Sequence, residues 1–300
     1  MKKFMSIVII VVITLTACGT KQDDTIVDVN QLQDFKNIIT QSESPIEVKE
    51  YLDKVIPDSG MKTADALVIE YINYMDNVIF GEFETYEEQL QSLNTYFNYD
   101  TWTMDVNAIK KGDIQEFYTS YTDAGFKFIN VEGGLSLITN YHFLEKYSQY
   151  ISPDISDFGS FMSLDSDNPW AMDAGIIIPL TDLGDRIALA EIYVKTYPDS
   201  VMYDKVLLKF NYYLSAFLRG LDNTPLVLFD TKKVDATFIE AYEYYIAKYP
   251  DLITTATIKA FKIDLEKTGY SAPYSYNDEE KRSAFMNHID KLVTDTINKL

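Results

Sequence analysis

Residues 61–80 read MKTADALVIEYINYMDNVIF, and this stretch decides the fold class. Its apolar side chains recur three and four positions apart, at Ala64, Leu67, Val68, Tyr71, Ile72, Met75, Val78 and Ile79. Because an α-helix completes a turn in 3.6 residues, this spacing places all of them on one helix face. The stretch predicts a long helix with one buried face, and the same periodicity dominates the chain from Leu32 onward.

Other helices can be recognised from their composition and from their first residues. Residues 201–220, VMYDKVLLKFNYYLSAFLRG, carry apolar side chains around almost the whole circumference, which predicts a central, buried helix. Ser44, Pro45 and Glu47 are the residue types expected at the N-cap, the first helical position and the third position of a capping box. The residues Asn277-Asp278-Glu279-Glu280 predict the start of the last helix in the same way.

A helix, a proline-aspartate turn and a second helix are predicted three times, around residues 50–59, 191–200 and 243–251. Proline disfavours helical geometry in the preceding residue, and aspartate can cap the next helix. The pattern resembles the helix-turn-helix unit of tetratricopeptide-type solenoids, but Pro198 and Pro250 are 52 residues apart, whereas such repeats recur at about 34. The segments predict helical hairpins, and whether they are true repeats or common helix connectors stays open.

The middle third of the chain breaks the helical pattern. Residues 126–132 and 135–139 alternate as strands do, and Gly133-Gly134 between them suits the tight turn of a β-hairpin. A lone hairpin is only marginally stable, so we expect it to pack against helices. The predicted fold is therefore mainly α, with helical hairpins packed as a bundle or an irregular solenoid and one small β-hairpin.

The hairpin is followed by more irregular sequence. Residues 164–170 predict a turn-rich loop, residues 173–179 a short strand, and helix resumes near Thr181. This interruption, near residues 125–180, could divide the helical body at residues 32–300 into two domains.

The N-terminus has the features of an export signal. Lys2 and Lys3 precede an apolar run that ends at Ala17 and is too short for the roughly 20 residues of a spanning helix. The segment Leu15-Thr16-Ala17-Cys18 resembles the lipobox of bacterial lipoproteins of Gram-positive type. The resemblance implies that residues 1–17 are a signal peptide, that the Cys18 sulfur carries a lipid, and that the body lies on the outer face of the cytoplasmic membrane.

In this interpretation residues 18–31 are a flexible, acidic tether between the lipid and the body. The alternative is an inert, buried Cys18 beside an uncleaved helix. Cys18 is the only cysteine, so the chain cannot form an internal disulfide.

The net charge limits the partners. The chain has 46 acidic and 26 basic residues, a formal charge of −20. Such a surface repels phosphate backbones, so nucleic acid is not expected as a partner. The expected partners are the membrane, through the lipid on Cys18, and a protein, a peptide or a cell-wall glycan.

The interruption also contains the candidate ligand-binding residues, because irregular segments on a rigid scaffold often carry function. Acidic and aromatic side chains gather there, a combination that suits a sugar or a cationic peptide. The candidates are Glu132, Tyr141, His142, Asp165, Asp167, Trp170 and Asp173. The alternative is that the carboxylates cap helices and that Trp170 fills the core.

Motifs for known chemistry are missing. The chain has two histidines and no HExxH pattern, so neither a zinc site nor a cofactor is expected, and no residue is assigned to a metal, although a looser cation site stays open. A calcium loop starting at Asp165 would place Trp170 where glycine is required and Ile176 where glutamate should chelate. No G-x-S-x-G pattern and no Walker or dinucleotide glycine pattern is present.

The sequence thus predicts a lipid-anchored extracytoplasmic protein that binds or scaffolds a protein, peptide or cell-wall partner without catalysis. The alternative is an extracytoplasmic glycan hydrolase that uses carboxylates near the central hairpin, since 46 acids neither identify nor exclude a catalytic pair. The chain has only 12 glycines, and this low content argues against membership of the two-lobed α/β class of importer binding proteins. A deep pocket at Glu132 and Asp165 or Asp173 would favour the hydrolase.

Overall fold

A computed structural model describes residues 26–100, 103–271 and 279–300, with the side chains of residues 82–85 left out. The described chain is mainly α-helical, as predicted. Its helices are α1 (Val29–Gln41), α2 (Pro45–Val55), α3 (Met61–Thr85), α4 (Glu87–Asn94), α5 (Asp113–Asp123), α6 (Pro153–Asp167), α7 (Leu180–Thr196), α8 (Tyr203–Arg219), α9 (Ala236–Lys248), α10 (Ile253–Lys267) and α11 (Glu279–Ile297). Short 3-10 helices cover Ile56–Asp58, Val106–Ala108 and Tyr141–Tyr147.

The β structure consists of antiparallel pairs of neighbouring strands. The strands are β1 (Phe97–Asn98), β2 (Thr103–Met104), β3 (Phe126–Val131), β4 (Gly134–Thr139), β5 (Ala171–Met172), β6 (Gly175–Ile176), β7 (Gly220–Leu221) and β8 (Thr224–Pro225), paired β1-β2, β3-β4, β5-β6 and β7-β8. Of these pairs, only β3-β4 was predicted as a hairpin, because two-residue strands are too short for an alternating pattern to indicate a pair. The short strand predicted within residues 173–179 is present as β6, Gly175–Ile176.

The long helix predicted from residues 61–80 is confirmed as α3. Six members of its apolar stripe are fully buried: Ala64, Leu67, Val68, Tyr71, Ile72 and Met75. The prediction for α8 is wrong in part. Phe210 and Phe217 are fully buried, but Leu208 and Tyr212 on the opposite face are half exposed, so α8 has a solvent side.

The Pro-Asp segments each connect two consecutive helices, as predicted: α2 to α3, α7 to α8, and α9 to α10. Aspartate does not cap α8 or α10, which start after Met202 and Leu252 without a side-chain cap. The second and third Pro-Asp segments make the same kind of contact with a neighbouring helix. Tyr197 donates to the Asp157 carboxylate at 2.6 Å and Tyr249 donates to the Asp185 carboxylate at 2.8 Å, each on a neighbouring helix.

The predicted helix starts are partly right. Pro45 is the first residue of α2, but the Ser44 hydroxyl makes no capping hydrogen bond, so the capping box is wrong. The Ser44 carbonyl accepts from the Glu47 amide instead. The last helix begins at Glu279, and Asn277 and Asp278 lie outside the described residues.

The hairpin β3-β4 is paired along its whole length, and its turn differs from the prediction by one residue. Gly134 pairs with Val131, so the turn residues are Glu132 and Gly133, at φ 50° and 87°. Positive φ at both central residues is the requirement of a type I′ turn, whose twist matches that of the strands. As expected, the hairpin packs against α3, α4 and α5.

Two predicted helix boundaries after the hairpin differ from those in the structure. Helix α6 extends to Asp167, so the loop predicted for residues 164–170 begins only at Asn168. Helix resumes at Leu180, one residue before the predicted position.

At the N-terminus, the signal peptide and Cys18 lie outside the described residues. Helix α1 begins at Val29 after an Asp28 cap, so the last three residues of the predicted tether are helical. Within the described part of the chain, no helix combines the length and apolar character needed to cross a membrane.

A candidate ligand cavity beside the central hairpin

A cavity of about 290 Å³ lies beside the hairpin, bordered by α3, α6, α8 and the connection from α6 to β5. Met162, Asp165 and Ser166 of α6 share one face because they are three and four residues apart. The other lining residues are Asp76, Ile79, Ile129, Ile138, Thr139, Tyr141, Pro169, Trp170, Ala171 and Lys209. This volume is just below the range for ligand pockets, about 300–1,000 Å³.

Three of the seven predicted site residues line this cavity: Tyr141, Asp165 and Trp170. The other four do not. His142 and Asp167 lie on the exposed surface, and Glu132 and Asp173 occupy hairpin turns. The structure therefore brings the aromatic residues and one carboxylate together and separates that carboxylate from the remaining acids.

Asp165 is held by three donors. Its Oδ1 accepts from Arg186 Nη1 at 2.6 Å, and its Oδ2 accepts from Lys209 Nζ at 2.6 Å and from the Tyr213 hydroxyl at 2.7 Å. Burial raises the pKa of Tyr213 far above its usual value, so this hydroxyl stays protonated and donates. With both oxygens occupied and two cations beside it, Asp165 acts as a structural anchor of the cavity floor.

The end of helix α6 is stabilised by cations, which fixes Asp165 and the following loop. Lys127 of β3 donates to the Ser166 carbonyl at 2.7 Å, and the second Arg186 nitrogen donates to the Asn168 carbonyl at 2.8 Å. Positive groups at a helix C-terminus satisfy free carbonyls and complement the helix dipole. The Trp170 ring then packs edge-on against Tyr213, with centroids 5.5 Å apart.

The cavity also has a hydroxyl that lacks a partner. Thr139 is 5% exposed, and its Oγ1 has no hydrogen-bond partner among the described residues. Burial raises the pKa of Tyr141, the Thr139 hydroxyl opposes this rise, and both residues line the cavity. No hydrogen bond of normal geometry joins them. A buried polar atom without a partner costs about 1–3 kcal/mol.

Sequence reasoning missed Asp76, Lys209 and Thr139. Asp76 and Lys209 lie on α3 and α8, far along the chain from the irregular middle segment, and meet the cavity through tertiary packing. Asp76 accepts from Lys205 at 2.5 Å. Thr139 did leave a signal, because it follows Leu135 and Leu137 on the buried face of β4 as a polar residue at an apolar position.

His142 forms a separate surface cluster with two carboxylates. Its Nδ1 lies 2.5 Å from Glu145 and its Nε2 lies 2.8 Å from Asp167. These hydrogen bonds, chiefly that to Asp167, raise the pKa of His142 above its usual value. The cluster connects the 3-10 helix at Tyr141–Tyr147 to the end of α6.

Glu132 and Asp173 have a conformational explanation for their positions. Both are the first residue of a two-residue turn, at φ 50° and 47°, and both are exposed. Short polar residues tolerate the left-handed region better than apolar ones, although glutamate is not a preferred type. Neither carboxylate reaches the cavity.

A second concavity, of about 300 Å³, runs between α6 and α7 and is almost entirely apolar. Leu189 and Ile192 on its rim are nearly half exposed, and its one carboxylate, Asp157, accepts from Tyr197. It offers apolar contact area but few groups that would orient a ligand. The cavity beside the hairpin is therefore the better candidate site.

Within the described residues, no group of three or more potential metal ligands is placed to hold an ion. No protein-family model, curated protein or solved structure matches this chain. The function is therefore inferred from the cavity and from the N-terminal sequence.

Proposed function

We propose that the protein is a lipid-anchored extracytoplasmic binding protein that holds a small polar part of its partner in the cavity beside the hairpin. The lipobox-like segment at Cys18 supports the anchor and the location. The unpartnered Thr139 hydroxyl beside Tyr141 carries the binding proposal, because a ligand that orders these hydroxyls would recover the cost of leaving one unpaired.

The other lining groups support binding as well. Trp170 supplies an aromatic wall, Ile129 and Ile138 supply apolar contacts, and Lys209 retains donors beyond the one given to Asp165. A mostly apolar cavity with a few convergent polar groups is the usual form of a small-ligand site.

The geometry favours binding over glycan hydrolysis. Hydrolysis needs one carboxylic acid and one free carboxylate on either side of the scissile bond. The two carboxylates of this cavity, Asp76 and Asp165, are each paired with a cation, and Glu132 and Asp173 lie elsewhere. A pocket shared by Glu132 and Asp165 or Asp173 would have favoured the enzyme, but Asp165 lines the cavity without either of the other two.

The binding proposal is tested by thermal unfolding of the purified full chain in detergent against wall-glycan fragments, neutral oligosaccharides and basic peptides. A ligand at a hundred times its Kd stabilises the native state by about 2.7 kcal/mol, which shifts the midpoint measurably. Tyr141→Phe removes one cavity hydroxyl while keeping the ring against Phe158, and it should reduce the shift. Tyr197→Phe, outside the cavity, is the matched control.

The anchor is tested separately. In the native host, Cys18→Ser should move the protein from the membrane fraction to the soluble fraction. Retention of the variant in the membrane would contradict lipidation at this cysteine, and it would leave the cavity proposal unaffected.

A further inference from the structure

We infer that the ligand of this cavity is an uncharged sugar unit of a glycan. This inference rests on the proposed binding function and specifies its ligand class. It is carried by the pairing of every charged side chain that lines the cavity and by the unpartnered hydroxyl in its wall.

The charges lining the cavity are already compensated by the chain. Asp76 is paired with Lys205 at 2.5 Å, and Asp165 is paired with Lys209 and Arg186, both at 2.6 Å. A charged ligand would lose its hydration without gaining a free countercharge, which makes its entry unfavourable. A neutral ligand avoids this loss.

The residues that line the cavity retain both hydrogen-bond donors and hydrogen-bond acceptors. Lys209 has three N–H groups and uses one on Asp165, whereas Asp76 uses one oxygen on Lys205. The Thr139 and Tyr141 hydroxyls can donate or accept. A ligand that presents several hydroxyl groups, each able to donate and accept, matches this mixture better than a group that only accepts or only donates.

The apolar part of the wall fits the same ligand. Sugar rings have C–H faces between their hydroxyls, and these faces pack against aromatic and aliphatic side chains. Trp170, partly exposed, and Ile129 with Ile138 supply such surfaces around the polar groups. The volume of about 290 Å³ limits the enclosed part to a single small unit, so the rest of a glycan would extend into solvent.

The test measures binding of the full chain in detergent to three oligosaccharide sets of equal length by calorimetry. The sets are neutral oligomers of glucose, mannose, galactose and N-acetylglucosamine, cationic oligomers of glucosamine, and anionic oligomers of galacturonic acid. We expect at least one neutral oligomer to bind, and the charged sets to bind at least tenfold more weakly. For the neutral ligand, Tyr141→Phe should weaken binding about tenfold, and Tyr197→Phe should leave it unchanged.

The outcomes separate this inference from the proposed function. Binding of a charged oligomer or a basic peptide that is weakened by Tyr141→Phe would overturn the neutral-sugar inference and leave the binding function standing. Binding that Tyr141→Phe does not alter would place the ligand outside the cavity and overturn both. Absence of binding to every neutral oligomer would overturn the inference.

Discussion

Glu191 of α7 accepts two hydrogen bonds from Thr254 at the start of α10, from the backbone amide at 3.0 Å and from the hydroxyl at 2.6 Å. Its other carboxylate oxygen accepts from the Ile253 amide at 2.6 Å. Glu191 is fully buried, and it supplies from a distant helix the N-terminal cap that α10 lacks locally. A carboxylate at this end of a helix is favourable because the free amides there carry partial positive charge.

Glu191→Ala should therefore destabilise the protein by about 3 kcal/mol or more, since two donors of the buried Thr254 and the part-buried Ile253 amide lose a charged acceptor. The matched control is Glu243→Ala. Glu243 occupies the same position relative to its Tyr-Pro-Asp segment, but it is exposed and is paired with Lys262 at 3.3 Å. Its loss should cost less than about 1 kcal/mol. Urea unfolding measures both, and similar losses would contradict the capping role.

The anchor at Asp165 predicts a second matched pair. Asp165→Asn would leave the Arg186 guanidinium, 6% exposed, without its carboxylate, and we expect a loss of about 3–5 kcal/mol. Asp167→Asn, two residues along the same helix, removes an exposed carboxylate and should cost less than about 1 kcal/mol. Chemical unfolding measures both variants. If the free energy of unfolding fell as little in Asp165→Asn as in Asp167→Asn, Asp165 would not be the structural anchor of the cavity.

The unpartnered Thr139 predicts a substitution that strengthens the fold. Thr139→Val replaces an unsatisfied buried hydroxyl by a methyl group, and it should leave stability unchanged or raise it by about 1 kcal/mol. Thr257→Val is the control, because the Thr257 hydroxyl is buried and bonded to Thr296 at 2.6 Å, and its loss should cost about 1 kcal/mol. Unfolding free energies that fall equally in the two variants would show that the Thr139 hydroxyl is satisfied.

The type I′ turn of the hairpin predicts opposite effects at adjacent residues. Glu132→Gly should stabilise the protein by up to about 1 kcal/mol, because glycine adopts φ 50° without steric cost. Gly133→Ala should destabilise it by a similar amount, although no atom lies within 4 Å of the added Cβ, because the cost arises from φ 87° alone. Thermal midpoints that shift in the same direction for both would contradict the assigned turn.

The His142 cluster predicts a pH dependence with a defined sign. Because its pKa is raised in the folded state, the charged hydrogen bonds contribute fully below the unfolded value of about 6.5 and are lost as the pH rises through the folded pKa. The effect on stability is small since the ring is 42% exposed. An NMR titration should place the His142 midpoint above about 6.5, and Asp167→Asn should lower it. A His288→Gln variant identifies the resonance.

Periodicity predicted most of the fold and part of the site, and the limits can be located at particular residues. The stripe on α3 and the long hairpin were recoverable because one local pattern specifies each. Glu191 and Glu243 show the opposite case. They share the pattern Glu-x-Tyr-x-x-x-Tyr-Pro-Asp, yet Glu191 is buried and Glu243 is exposed. The difference comes from how neighbouring helices pack against each residue, which the shared local pattern does not contain.

The residues of the cavity show the same limit: those in one local segment were predicted, and those brought together by helix packing were not. Tyr141, Asp165 and Trp170 were predicted because they lie within one irregular segment, whereas Asp76 and Lys209 arrive from distant helices. Their proximity depends on how α3 and α8 pack, which no short window of sequence contains.

The strand pairs of the described residues have a consequence for the kinetics of folding. In each pair, two to four residues separate a strand from its partner, so closing the loop costs little entropy. Proteins dominated by such local contacts fold faster than those that must join remote strands. A chain that becomes available from its N-terminus onward can therefore complete each strand pair before the following helix appears.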